Sequence, residues 1–176
     1  SRAVLCRGGE ALELSRDMKA TKPEEIARVA AAGGFVTIGR VCGSLAVSRT
    51  LGDAALKRGP GGGGLTAEAE VLEVVLRAED KFLLLACDGV FDVMTSQDAV
   101  DCARAVLERG GGGQEAAQAL VDKALELKTL DNVTVVLAVL GDVGTAPGAA
   151  AAAAAPRRAR SRVGGGLGGE LDGAGA

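Results

Sequence analysis

Two aspartates border apolar runs, and at Asp88, where such a run ends, a carboxylate is expected to cost stability unless it has a partner. Asp88 closes the apolar run Phe82-Leu83-Leu84-Leu85-Ala86-Cys87 and is followed by Gly89. Asp131 precedes Asn132-Val133-Thr134-Val135-Val136, so it stands at the entrance of an apolar run rather than at its exit. If the two runs are antiparallel neighbours, both carboxylates come to the same edge of a sheet. Two such groups, completed by waters and a phosphate, make the partial oxygen shell that Mg²⁺ or Mn²⁺ uses in phosphoryl chemistry. Gly89 permits an unusual backbone angle or the close approach of another group. Each aspartate also has an ordinary reading, Asp88 as a turn cap and Asp131 as an Asx-turn, and the residues alone leave both open.

A second stretch, Arg40-Val41-Cys42-Gly43-Ser44-Leu45-Ala46-Val47-Ser48-Arg49-Thr50-Leu51-Gly52-Asp53, mixes small residues with two arginines. Physics favours a loop and a short helix held by an Asp53 cap. The functional reading has Asp53 and Ser48-Arg49 brace a loop beside the site, because a guanidinium holds carboxylates in a fixed fork. The glycine-rich loop at 59–64 lacks the GxxxxGK[ST] pattern of a nucleotide-binding loop.

The chain has 176 residues and no His, Trp or Tyr, which excludes a Ser-His-Asp or Cys-His unit and a His-bearing zinc site within it. A net charge of −3 offers no basic surface for nucleic acid or an anionic membrane. Residues 82–87, the longest apolar stretch, are too few to cross a bilayer. Cys6, Cys42, Cys87 and Cys102 are widely spaced without a CxxC pair, and read as reduced, mostly buried thiols. That points to an intracellular protein, cytoplasmic or nuclear. The chain opens on Ser1-Arg2-Ala3-Val4-Leu5 without an initiator Met and with an apolar segment already under way, which reads as a fragment or processed product.

The elements that must position these residues follow from periodicity and turn chemistry. Val4-Leu5-Cys6 and Ala11-Leu12-Glu13-Leu14 flank Gly8-Gly9, the pattern of a hairpin. Pro23, Glu24 and Glu25 open a short helix over 23–32 that Gly33-Gly34 stop. Residues 35–41, 71–76 and 81–87 predict strands. Helices are predicted over 96–109, with Ser96 as N-cap, and over 114–127, each with apolar residues at spacings of three and four. The apolar β-branched run at 132–140 predicts a central strand. The order gives an α+β layered domain over 1–140. Residues 141–176, rich in Ala, Gly and Arg, are expected to form a disordered low-complexity tail.

Seven segments in order, SRAVL (1–5), LSRDMK (14–19), KPEEIARVAAAGGFV (22–36), RVCGSLAVSRTLGD (40–53), AEAEV (67–71), EDKFLLLACDGVFDVM (79–94) and LDNVTVVLAVL (130–140), resemble the C-terminal half of the catalytic domain of the metal-dependent type 2C (PPM) serine/threonine protein phosphatases. The resemblance implies a partial α-β-β-α sandwich of antiparallel sheets with outer helices, lacking its N-terminal half. It implies a binuclear Mg²⁺ or Mn²⁺ centre that activates water against phosphoserine and phosphothreonine monoesters of a phosphoprotein substrate. It matches Asp88 and Asp131 to the metal-binding aspartates and Asp92 to an additional, weaker metal site. Asp53 matches a motif aspartate with a structural role, with Arg49, Gly89 and Asn132 as further structural support. The segment 24–46 matches a mobile flap beside the active site.

The departures are as specific. The family's upstream acidic ligand, its DGHGG segment, its phosphate-binding Arg and the Asp of its GDSR segment have no counterpart here. Met18 stands for the usual His of SRDHKP, Ala69 for the Pro of AEPEV, and Phe91 where Trp is common. The expectation is therefore a phosphatase whose fragment alone is inactive. The alternative is a truncated, non-catalytic binding or regulatory module.

Overall fold

The computed structural model describes residues 1–141 and the backbone of residues 157–159. Its main sheet has four strands, β1 (Arg2–Arg7), β2 (Glu10–Glu13), β6 (Asp80–Ala86) and β7 (Val135–Val139), in the order β2-β1-β6-β7. Every neighbouring pair is antiparallel. Gly8 and Gly9 both adopt positive φ at the β1–β2 turn, which bears out the hairpin read from the glycines.

Alternation along β6 decides the layering. Asp80, Phe82, Leu84 and Ala86 are buried, and the last three join Val4 and Cys6 in one core. Onto that face pack α4 (Ser96–Glu108) through Ala99, Val100, Ala103 and Val106, and α5 (Gly113–Glu126) through Ala116, Leu120 and Ala124. The α4 face is the predicted amphipathic one, whereas on α5 the buried row runs through Ala116 and leaves Leu125, expected on the apolar face, exposed. Asp80 is tolerated in the buried row because Arg7 donates to both its oxygens at 2.6 and 2.9 Å. On the opposite face Leu85 and its cross-strand partner Val136 stay well exposed.

A second unit lies between β2 and β6. It contains α1 (Pro23–Ala31), β3 (Val36–Thr37), β4 (Arg40–Val41), α2 (Ala54–Arg58) and β5 (Val71–Glu73), around a small core of Ala20, Val29, Val41 and Leu65. A one-turn helix, α3 (Asp88–Phe91), follows β6 directly. A further strand, β8 (Arg157–Ala159), pairs antiparallel with β5. The rest of the expected tail beyond residue 141 lies outside the described residues.

Four expectations are corrected. Residues 35–41 form a tight hairpin rather than one strand, because Ile38 and Gly39 both take positive φ, 50° and 67°, and reverse the chain. The strand expected to be central, β7, is an edge of the sheet; the central places belong to β1 and β6. Helix α4 is capped by Thr95, whose hydroxyl accepts the Asp98 N–H at 3.1 Å while the Asp98 carboxylate accepts the Thr95 N–H at 3.0 Å. Ser96 is instead drawn inward to Glu13 at 2.6 Å and Arg2 at 2.8 Å. Of the four thiols, all unpaired, only Cys6 is fully buried.

Candidate metal site

Where β6 ends, its last residues turn against the segment leading into β7. Ala86 pairs with Val135, and one step on the Cys87 N–H donates to the Thr134 carbonyl at 3.1 Å. The chain then turns into α3, with Asp88 at its first position. Gly89 is buried against the backbone of the facing segment, and a Cβ there would overlap the Asn132 carbonyl oxygen. Glycine is required at 89 for this close approach. The antiparallel neighbours thus bring the Asp88-Gly89 and Asp131-Asn132 segments together at one edge of the sheet.

The carboxylates themselves face solvent. Asp88 is exposed, and its carboxylate has no hydrogen-bond or ion-pair partner among the described residues. Asp131 is also exposed, and its Oδ1 accepts the N–H of the next residue, Asn132, at 2.7 Å. That bond reaches one residue on, where an Asx-turn would reach two. Asp92 follows α3 and pairs with Lys19 at 3.3 Å. Among the described residues no three His, Cys, Asp or Glu side chains converge as a cage for an ion.

The residues expected to brace the site behave differently. Asp53 occupies the N-cap position of α2 with φ of 50°, and its side chain makes no capping bond. Arg49 turns Nε and Nη2 to Glu25, a carboxylate that sequence reasoning did not single out, and Nη1 to the Glu68 carbonyl. Glu25 is buried on α1 and accepts from Arg49 Nη2 at 2.7 Å, Arg28 Nη2 at 2.8 Å and Ser48 Oγ at 2.5 Å. The Arg49 bonds, followed by those of Arg28 and Ser48, outweigh burial and hold its carboxyl at a pKa of about 2. Arg28 also donates to the carbonyls of Gly64 at 2.6 Å and Ser48 at 3.0 Å. This knot ties α1 to the loop after β4.

A second cluster missed in the sequence braces α3. The Arg2 guanidinium bonds Asp17 at 3.0 Å and Glu13 at 3.2 Å, and lies 4.5 Å over the Phe91 ring. For the Glu25 cluster the sequence offered Ser48-Arg49 as a brace without its carboxylate, and an arginine three residues after Glu25 on a predicted helix.

The family model for protein phosphatase 2C matches residues 1–133. The chain belongs to the protein phosphatase 2C family. Among curated relatives, Probable protein phosphatase 2C 47 of Oryza sativa subsp. japonica is 45% identical over 137 residues, covering 77% of this chain and 35% of that protein. Protein phosphatase 1B of Mus musculus is 42% identical over 141 residues, covering 78% and 36%. The chain thus spans about a third of the length of these relatives. A crystal structure of a phosphatase from Toxoplasma gondii superposes with a TM-score of 0.71 at 31% identity, covering 90% of this chain and 48% of that one. A C. elegans sex determining protein gives 0.70 at 30%, covering 81% and 35%. The α+β architecture expected from the motifs is that of the protein phosphatase 2C fold.

Proposed function

We propose that the protein carrying this chain is a serine/threonine protein phosphatase that hydrolyses phosphoserine and phosphothreonine monoesters of phosphoproteins, with Mg²⁺ or Mn²⁺ as cofactor. Membership of the protein phosphatase 2C family supports the reaction class. The observation that carries the site is the packing of Gly89 against Asn132, which sets Asp88 and Asp131 on adjoining backbone.

The donor set fits the group. Both carboxylates are exposed acceptors; no protein donor among the described residues reaches the Asp88 oxygens, and at Asp131 only Oδ1 is engaged, by the Asn132 N–H, so open oxygens remain for a hard divalent cation. In this reading Asp88 and Asp131 hold the cation, and Asp92 serves a further, weaker site in exchange with Lys19. A cation there supplies a Lewis acid for the phosphoryl oxygens and lowers the pKa of coordinated water. Two carboxylates are too few for a full binuclear shell, so other oxygens complete it. Gly89 fixes the separation of the two segments, and the Arg2–Phe91 stack holds α3 in place beneath them.

The unpaired thiols support an intracellular, cytoplasmic or nuclear setting. Among the described residues no helix is long and apolar enough to cross a membrane. The partner implied is a phosphoprotein, with neither nucleic acid nor membrane.

The lack of a converging trio of ligands among the described residues favours a second reading, a non-catalytic binding or regulatory module. Mn²⁺-dependent hydrolysis of a phosphothreonine peptide by the protein carrying this chain separates the two. Turnover that Asp88→Asn abolishes supports the phosphatase. A folded protein without turnover supports the module.

A further inference from the structure

Resting on that reading of the site, we propose that Cys87 is a positioning residue whose thiol locks the Asp131-Asn132 segment against Asp88 before any cation arrives. Cys87 precedes Asp88 directly and is part-buried, with extended backbone at φ of −77°. Its Sγ–H donates to the Asn132 carbonyl at 3.0 Å, and the same sulfur accepts the Thr134 N–H at 3.2 Å. One side chain therefore satisfies an acceptor and a donor two residues apart on the facing segment. Its own N–H donates to the Thr134 carbonyl at 3.1 Å, so three bonds converge on residues 132–134.

The arrangement is specific to this thiol. Cys42 uses its sulfur for a single bond, to the Gly61 carbonyl at 2.9 Å, far along the chain from either aspartate. Asn132, which receives the Cys87 bond, is the residue whose carbonyl packs on Gly89. The sulfur and the glycine thus grip the same carbonyl. Asp131 sits one residue before that grip, and Asp88 lies between its two halves. Sulfur bonds are weak singly, so what the thiol adds is orientation of a segment that ends in a carboxylate.

The residue needed is one that donates and accepts from a short stem. Serine meets that requirement; alanine meets neither half. The test compares wild type, Cys87→Ala, Cys87→Ser and Cys42→Ala in the protein carrying this chain, by Mn²⁺ titration and by hydrogen exchange at the Thr134 amide. Loss of an outer-shell partner weakens metal binding by about 10-fold or more, so Cys87→Ala should bind Mn²⁺ about tenfold more weakly and exchange Thr134 faster. Cys87→Ser should recover most of both, and Cys42→Ala should leave Mn²⁺ binding unchanged. Mn²⁺ binding by Cys87→Ala equal to wild type, or by Cys87→Ser as poor as by Cys87→Ala, overturns the proposal even if thermal stability falls.

Should Cys87→Ala fail to fold, the wild type decides alone. Thr134 protected in metal-free protein supports a preformed lock, and protection that appears only with Mn²⁺ overturns it. Wild type that binds no Mn²⁺, with Asp88→Asn indistinguishable from it, overturns the phosphatase reading and this proposal together. Wild type that binds while Cys87→Ala binds equally removes only the role of Cys87.

Discussion

Glu25 and Asp88 are both carboxylates at the start of a helix, and the protein treats them in opposite ways. Glu25 is buried and accepts from two guanidinium groups and a hydroxyl. Asp88 is exposed, and no donor among the described residues reaches it. The first arrangement leaves nothing for a ligand to do, and its role is to join α1 to the loop after β4. In the second, the protein spends its order on the backbone around the carboxylate and leaves the oxygens open. Burial and saturation go together at Glu25, and both are absent at the Asp88 side chain.

The largest effect expected from breaking this contrast is at Glu25. Glu25→Ala leaves two arginines facing each other in a part-buried site and should cost about 3–5 kcal/mol in chemical denaturation, while leaving the Mn²⁺ affinity of any folded fraction unchanged. Acid probes the same group. Its folded pKa of about 2 lies below the ordinary 4.5, so the folded state binds fewer protons between those values. Stability is therefore lost as pH falls from about 4.5 to about 2, by roughly 3 kcal/mol, and an acid titration of Glu25→Gln should be shallower by that amount.

Asp88→Asn inverts the pattern. Phosphatase turnover should fall by more than about 100-fold, beyond the usual outer-shell loss. Stability should move by no more than about 0.5 kcal/mol, since no partner is lost. A large stability loss would place Asp88 with Glu25. Gly89→Ala tests the grip between the segments. Its Cβ meets the Asn132 carbonyl, and overpacking of that kind costs about 1–3 kcal/mol, read as a lower melting temperature together with weaker Mn²⁺ binding. The smallest change is Lys19→Ala. It frees the half-exposed Asp92 at a cost of about 0–1 kcal/mol, and under the proposed weak site it should modestly strengthen a second Mn²⁺ binding step in calorimetry.

What the sequence made legible was local. The hairpin about Gly8-Gly9, helices α1, α4 and α5, and strand β6 all follow from turn residues and periodicity within a few positions. The adjacency of the Asp88 and Asp131 segments was legible only on the condition that the two apolar runs pair antiparallel, a condition that β6 and β7 meet. The Glu25 knot was legible only in part: Ser48-Arg49 stood out as a brace, but they lie 23 and 24 residues from Glu25, and only Arg28 lies within a helical turn of it. The hairpin at 35–41 was not legible, because a β-branched residue at positive φ, Ile38, runs against local preference. Thr95 outcompeted Ser96 as the cap once tertiary contacts drew Ser96 toward Arg2 and Glu13.

The place of β1 has a kinetic consequence. This strand begins at residue 2, yet it lies between β2 and β6, and Arg7 pairs with Asp80 across 73 positions. The β1–β2 hairpin can close within microseconds, and so can the α4–α5 pair. The sheet is complete only when a loop spanning the whole intervening unit has closed, an entropic toll met before the β1–β6 contacts return anything. Refolding should therefore run on the slow, millisecond-to-second scale of high contact order topologies. The closure that completes this sheet is the docking of β1 on β6, and a ribosome that releases β1 before β6 leaves β1 waiting for its partner.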